Sequence, residues 1–403
     1  MSNVWYKRVR GSLRRTLKRA ALAAVTPIKR LPLAPPNRRP LTEVVATTRL
    51  WVESWGDKFG ATFVPVHPPH VVDRGLTGVD SAVLQRFRVG PFHHAETYVA
   101  TIPGRRTLGV DGAVLSPEGR LLMDVSHRRE KPLTEFREML WLRLPPVETH
   151  RGAVAVLGVR HCGNYDHWLL DVLPRIELIR LAGVVVDRYV VSITHAFQWD
   201  TLHMLGIRDE QIICPHERSH IQAERLVVPS LPSIVGNTPI WVGDFLRSAI
   251  CPAVDGHVPH AGQRRRLYVS RRSAKLRRIV NEAEIHGIFA AHGVETVESE
   301  KLSAADQIAL FMQAELVVAP HGAGLTNMVF CANPCAVVEL HGEHNVNDCY
   351  WALATSRDLN YLPRLQSQQG DDLIVDSGEL DATLREALSL VQNTSAKKPA
   401  VAA

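Results

Sequence analysis

The sequence predicts an α/β protein built from two successive parallel-sheet units, and three patterns in its 403 residues lead there. From Ala153 onward, short apolar runs alternate with amphipathic segments, the rhythm of strand–helix–strand units. A second such cycle starts at Arg266, after a turn-rich stretch from Cys251 to Gln263 that reads as a linker. Length supports the division, because single cores stop growing near about 250–300 residues. A hydrophobic share of 45% against 22% charged residues excludes fibrous and disordered classes.

The chain opens on a basic arm. Residues 1 to 40 hold eleven Lys and Arg and no acid, so the net charge of +6 belongs to the arm and the remainder is net negative. That excludes a nucleic-acid-binding domain, which needs a basic face on its folded part. On a helical projection of residues 4–24, Trp5, Tyr6, Val9, Leu13 and Leu17 fall in one sector, opposite Lys7, Arg8, Arg14, Arg15 and Lys18. Such a helix suits an anionic membrane surface, and its apolar run is too short to span one. Pro32, Pro35, Pro36 and Pro40 make an extended linker. Six cysteines without a Cys-x-x-Cys pair form neither a disulfide framework nor a zinc ribbon. The expected location is cytoplasmic, on the inner face of a membrane.

Residues 41–150 carry hairpin signals such as Asp111-Gly112, a lead-in to the first sheet. The first cycle then has strands at Val154–Val159, Arg188–Ser192 and Arg225–Val228, with helices from Asp166 to about Ala182 and around Trp199–Leu205; Pro174 is expected to kink the first helix. The second has strands at Arg266–Val269, Val294–Val297, Leu316–Ala319 and Ala336–Leu340, with helices at Glu282–Ala291 and Ala304–Ala314. The expected units are the arm at 1–40, domains at 41–257 and 258–392, and a disordered tail at 393–403.

Two groups of residues carry chemistry. Between the strands ending at Ala319 and Leu340 lies His321-Gly322-Ala323-Gly324-Leu325-Thr326-Asn327. Its glycines remove Cβ atoms that would hold an anion off the backbone, and a helix start there offers free N–H groups. Arg271 and Arg272 follow a strand and can grip phosphate, with Arg277 and Arg278 as alternatives and one of the four pairing with Glu282 or Glu284. Glu339 can accept hydrogen bonds from a ribose diol. On the helix after Asn164 and Tyr165, His167, Asp171 and Arg175 fall at i, i+4 and i+8 as one polar stripe. Either Asp171 or His167 can serve as a base, Asp171 being preferred with His167 orienting it. No metal-binding acidic motif accompanies them, so no metal and no cofactor is expected. A dinucleotide fingerprint is also missing, which argues against a dehydrogenase.

The stretch from His321 to Asn327 with Glu339, the stretch from Asn164 to Arg175, and Leu267-Tyr268-Val269-Ser270-Arg271-Arg272 with Arg277 to Glu284 together resemble the family 61 glycosyltransferases, which include bacterial capsular-polysaccharide-type enzymes. The resemblance implies a GT-B fold of two facing Rossmann-like domains and inverting, metal-independent transfer from a nucleotide sugar, UDP-linked, to a glycan or lipid-linked acceptor. It implies catalytic Asp171 and His167, and donor contacts from Arg271, Arg272, His321, Gly322, Ala323, Gly324, Asn327 and Glu339. Asn164, Tyr165, Arg175 and Glu282 would stand at the acceptor or behind these. Asp166, where an aromatic or small residue is usual, and Cys331 and Cys335 depart from the pattern. The alternative is an inactive nucleotide-sugar- or glycan-binding protein of the same fold.

Overall fold

The computed structural model describes residues 35–397 except 42, 75–82, 84, 127–136, 234–235 and 258–263, and within the first 34 residues only 16, 17, 20, 21 and 24. The amphipathic assignment of the arm, residues 258–263 of the expected linker and the end of the tail therefore lie outside the described residues.

The chain forms a mixed α/β structure around two large sheets. The first is built from β1 (Val44–Val45), β2 (Thr62–His67), β5 (Thr97–Pro103), β6 (Arg106–Leu108), β7 (Ala113–Leu115), β8 (Leu121–Leu122), β9 (Glu148–Val156), β10 (Arg188–Val190), β11 (Ile212–Ile213) and β12 (His220–Pro229). The hairpin β3 (His70–Arg74) and β4 (Gly90–His94) stands apart from it. One side of the sheet, β12-β9-β10-β11, is parallel as the alternation predicts. The lead-in adds antiparallel partners, β6 on the first half of β12 and β5 on the second. Helix α1 (Thr48–Phe59) precedes β2 and is capped by the Thr47 side chain, which accepts from the Leu50 N–H.

Helix α2 follows β9 and is continuous from Tyr165–His167, through a π-turn at Trp168–Val172, to Pro174–Leu181. Pro174 has no N–H to donate and its ring crowds the carbonyl four residues back. The chain answers with one wide turn, in which the Leu173 N–H donates to Trp168 O at 3.0 Å. Trp168, Leu169, Val172 and Leu173 point into the core. Arg175 points inward with them: it is 0% exposed, and its guanidinium donates to Leu157 O and Gly158 O at 3.1 Å and to Pro229 O at 2.6 Å. It pins the ends of β9 and β12 together, so it is not the third member of a ligand-facing stripe. Helices α3 (Ala196–Met204) and α4 (Ile240–Val254) complete this half. Cys251, the expected start of the linker, is still inside α4, which carries Pro252 in its last turn and buries Ile250 and Val254.

The second sheet comprises β13 (Arg265–Val269), β14 (Val294–Val297), β15 (Ala314–Pro320), β16 (Ala336–Gly342), β17 (Asn360–Gln369) and β18 (Asp372–Ile374) in the order β14-β13-β15-β16-β17-β18, parallel except for the last strand. Every residue of β16 is buried, as expected of a central strand covered on both faces. Helices α5 (Glu282–Ala291) and α8 (Ser377–Lys397) pack on one face. Helices α6 (Ala304–Met312) and α7 (Cys349–Ser356) pack on the other, in an apolar cluster that also holds α2 and α4. One core thus runs through both halves. Helix α8 continues to Lys397, beyond the expected start of a disordered tail, because Leu384, Ala387 and Val391 bury against the second sheet.

Replacing Arg175 by Ala leaves three buried carbonyls without their donor. We expect a loss of about 3–5 kcal/mol in chemical denaturation. A loss below about 1 kcal/mol would mean that water replaces the guanidinium.

Candidate functional site

In an open sheet of this winding, ligands bind where the strand order reverses, beyond the carboxyl ends of the strands. Here the reversal lies between β13 and β15. The loop after β13 carries the four arginines, and the segment after β15 is the glycine turn, so the two sequence blocks meet by topology.

The arginines divide into two pairs. Arg272 is exposed and bonded to Glu298. Arg278 is also exposed, with its Nη2 2.5 Å from Asp372 Oδ2. Both are exposed guanidiniums already paired with a carboxylate. Arg271 and Arg277 are half-buried and form no ion pair among the described residues. Their Nε atoms are buried without a hydrogen-bond partner. Burial, and then the like charge of Arg277, lower the pKa of Arg271. Arg277 also adopts a positive φ of 59°, a conformation that costs a non-glycine residue free energy. Two guanidiniums that feel each other's charge and form no ion pair among the described residues are suited to hold an anion.

The two glycines have different tasks. A Cβ on Gly322 would stand 2.0 Å from Arg271 Nη1, so its missing side chain is the space the guanidinium occupies. A Cβ on Gly324 would stand 3.2 Å from Val269 Cγ1, so that glycine serves packing against β13. The helix that follows, Ala323–Phe330, is a 3-10 helix in which Thr326 and Asn327 are fully buried. Asn327 does not face a ligand. Its Oδ1 accepts from Tyr165 OH at 2.7 Å and its Nδ2 donates to Gln307 Oε1 at 3.1 Å.

Glu339 is not at the end of its strand, since β16 runs on to Gly342, and it is 0% exposed. One oxygen lies 2.5 Å from His321 Nδ1 and the other accepts from Tyr361 OH, so a ribose diol would find both occupied. Burial by itself would raise this carboxyl, but the charges of His341 and His321 and the two hydrogen bonds outweigh it and hold the pKa below the ordinary value. His321 thereby has its ring orientation set by a buried carboxylate. His321, Glu339 and His341 are also the one group among the described residues whose ligand-type atoms, all within 4.8 Å of one another, could surround a metal ion. A cation there would have to displace the bonds from His321 and Tyr361 and tolerate the nearby charge of Arg277, which already acts on His341. The group fits a hydrogen-bond network better than a ligand set.

Across from this turn stands the start of α2. His167 Nδ1 lies 2.8 Å from Asp171 Oδ2, so the expected dyad exists. His167 Nε2 faces Asp166 Oδ2 at 3.8 Å, and Asp166 is one of the charges that raise the Tyr350 pKa, after burial and Cys349. Tyr350 in turn packs 5.2 Å from the His321 ring. Asp166 therefore stands between the dyad and the second half. Asn164 is exposed, while Glu282 accepts from Ser270 Oγ at 2.7 Å and braces the loop that carries Arg271. Tyr350, Tyr361 and His341 were not singled out from sequence. His341 could have been, because residues two apart on a strand share a face and Glu339 was already marked.

Residues 165–338 match the family model described as Glycosyltransferase 61, which bears out the resemblance drawn from the three sequence blocks. A curated relative, the EGF domain-specific O-linked N-acetylglucosamine transferase of Drosophila melanogaster, is 29% identical over 178 residues, 40% of this chain and 34% of that protein. The match thus spans about a third of the relative's own length.

Gly322→Ala should push the Arg271 guanidinium aside without straining the backbone, whose φ of 177° is open to any residue. Titration with inorganic pyrophosphate should read an affinity loss of about 10-fold or more, the worth of one charge-assisted contact. Unchanged affinity would detach Arg271 from anion binding.

Proposed function

We propose that this chain, a glycosyltransferase 61 protein over residues 165–338, moves a sugar from a UDP-linked donor to a glycan or lipid-linked acceptor with inversion, in the synthesis of cell-surface polysaccharide. The observation that carries the reading is the pair Arg271 and Arg277, with no counter-ion among the described residues, beside the Gly322 turn at the strand-order reversal. A diphosphate supplies the missing negative charge. Its hold strengthens as the sugar–oxygen bond breaks and charge builds on the departing phosphate, which lowers the barrier without a metal. The acceptor's proton goes to the other side, to the His167–Asp171 dyad. A base on one face of the anomeric carbon and a leaving-group site on the other is the arrangement that inversion requires. We assign the donor to a unit at 258–392 and the acceptor to a unit at 41–257, facing each other as in a GT-B enzyme. The presence of the dyad favours turnover over a binding-only role.

Thermal unfolding with UDP tests the donor site, because a ligand at 100 times its Kd adds about 2.7 kcal/mol to the folded state. Arg277→Ala should weaken UDP by about 10- to 100-fold. Arg272→Ala and Arg278→Ala, which break exposed pairs of small worth, should leave it within about twofold. Equal losses at all four positions would reduce the effect to bulk charge, and no stabilisation of the wild type by UDP would remove the donor reading.

We also assign residues 4–24 to an anionic membrane surface, supported by the segregation of their basic and apolar side chains. No helix among the described residues is long and apolar enough to cross a membrane. At about 1 kcal/mol per basic residue near the surface, deletion of residues 1–40 should release the protein from phosphatidylserine vesicles in a sedimentation assay. Co-sedimentation equal to that of the full chain would exclude the anchor.

A further inference from the structure

Asp166 directly precedes the His167–Asp171 pair on α2. Its charge also reaches the opposite half, where it acts on Cys349 and Tyr350. Its side chain is 31% exposed, twice as open as His167 at 15% and Asp171 at 14%. His167 sits between the two acids, with Nδ1 at 2.8 Å from Asp171 and Nε2 at 3.8 Å from Asp166. The ordering Asp171, His167, Asp166 runs from the more enclosed side to the more open one. Tyr165, one residue earlier, is tied to Asn327 at 2.7 Å, so the backbone that carries Asp166 is fixed against the glycine turn. The groups around it are His167 and Asp171 on its own helix, His161 with its ring 6.0 Å from that of His167, and Tyr350 and Cys349 on α7, whose thiol and phenol both register the Asp166 charge.

From this ordering we infer that Asp166 is the residue that touches the acceptor hydroxyl, and that the His167–Asp171 pair behind it is a proton-receiving and positioning unit. The inference rests on the donor reading above. The acceptor O–H bond breaks toward the Asp166 carboxylate as the acceptor oxygen bonds to the anomeric carbon. The bond from that carbon to the diphosphate oxygen breaks with its electron pair leaving on the nucleotide. The proton on Asp166 then passes to His167 Nε2, and the resulting imidazolium is held by Asp171. In this step the Asp166 carboxylate is the first base to meet the acceptor. It also selects acceptors that present a hydroxyl to an anionic surface, and disfavours acidic sugars at that subsite through like-charge repulsion.

The test uses the full chain and hydrolysis of UDP-sugars (UDP-glucose, UDP-galactose, UDP-xylose and UDP-N-acetylglucosamine), with water as the acceptor, alongside UDP affinity by calorimetry. Asp166→Asn should lower kcat by about 100-fold or more and keep UDP affinity within twofold. Asp166→Glu should recover part of kcat. Asp166→Asn turnover within threefold of wild type, with His167→Ala strongly impaired, would overturn the inference and make His167 the residue on the acceptor. UDP binding without hydrolysis of any donor by the wild type would overturn it too, since a carboxylate set to activate a hydroxyl also activates water. Loss of UDP binding by the wild type would instead count against the donor reading itself.

Discussion

The hydrogen bond from Tyr165 OH to Asn327 Oδ1, continued from Asn327 Nδ2 to Gln307 Oε1, is the contact on which the site depends. It ties the first turn of α2 to the segment after the glycine turn, with Asn327 fully buried. A neutral bond of this kind contributes only about 1 kcal/mol net, but an unmet amide in the same place would cost more. Its value is therefore in specificity of placement: the halves can close in one register. A second tie supports it. Arg88 makes a two-pronged contact with Asp348, at 3.0 and 2.9 Å, and Phe87 stacks on Trp351 with ring centroids 5.5 Å apart.

Given that register, the charges separate across the space between the halves. The second half brings two guanidiniums that form no ion pair among the described residues and a histidine set by a buried carboxylate. The first half brings two carboxylates around one imidazole. Cations therefore stand where a leaving diphosphate would develop charge, and bases stand where a hydroxyl would lose a proton. The remaining arginines that looked equivalent in sequence are used up by Glu298 and Asp372 on the surface. Arg175 is used up as a stitch between two strand ends.

Local pattern carried much of the fold. The alternation of apolar runs and amphipathic segments located the parallel strands β9, β10, β12 and β13 to β16, though not β11 or β17, because burial on both faces leaves few polar positions to confuse the period. Antiparallel pairing of β5 and β6 with opposite halves of β12 was not legible, because it joins residues more than 100 positions apart and depends on the register of a neighbouring strand. The run of α4 through Cys251 and Pro252 was missed for a related reason: buried Ile250 and Val254 outweigh turn-prone residues near the helix end.

The sequence by itself determined the segments that carry the candidate site, since the glycine turn, the arginine loop and the His167–Asp171 spacing are local and each sits at a strand or helix end. It also pointed to the family whose model residues 165–338 match, because three blocks in order are a statement about residue types and spacing. Only the tertiary structure decided which member of each group faces inward. Glu339 binds His321 and Tyr361 instead of a ligand, Gly322 and not Gly324 makes room for a guanidinium, and Arg277 joins Arg271 while Arg272 is paired with Glu298. The physical reason is that direction is set by what lies on the far side of the contact. A carboxylate, a carbonyl or an open space from a distant strand decides whether a charge is paired, buried or left free, and sequence spacing does not contain that partner.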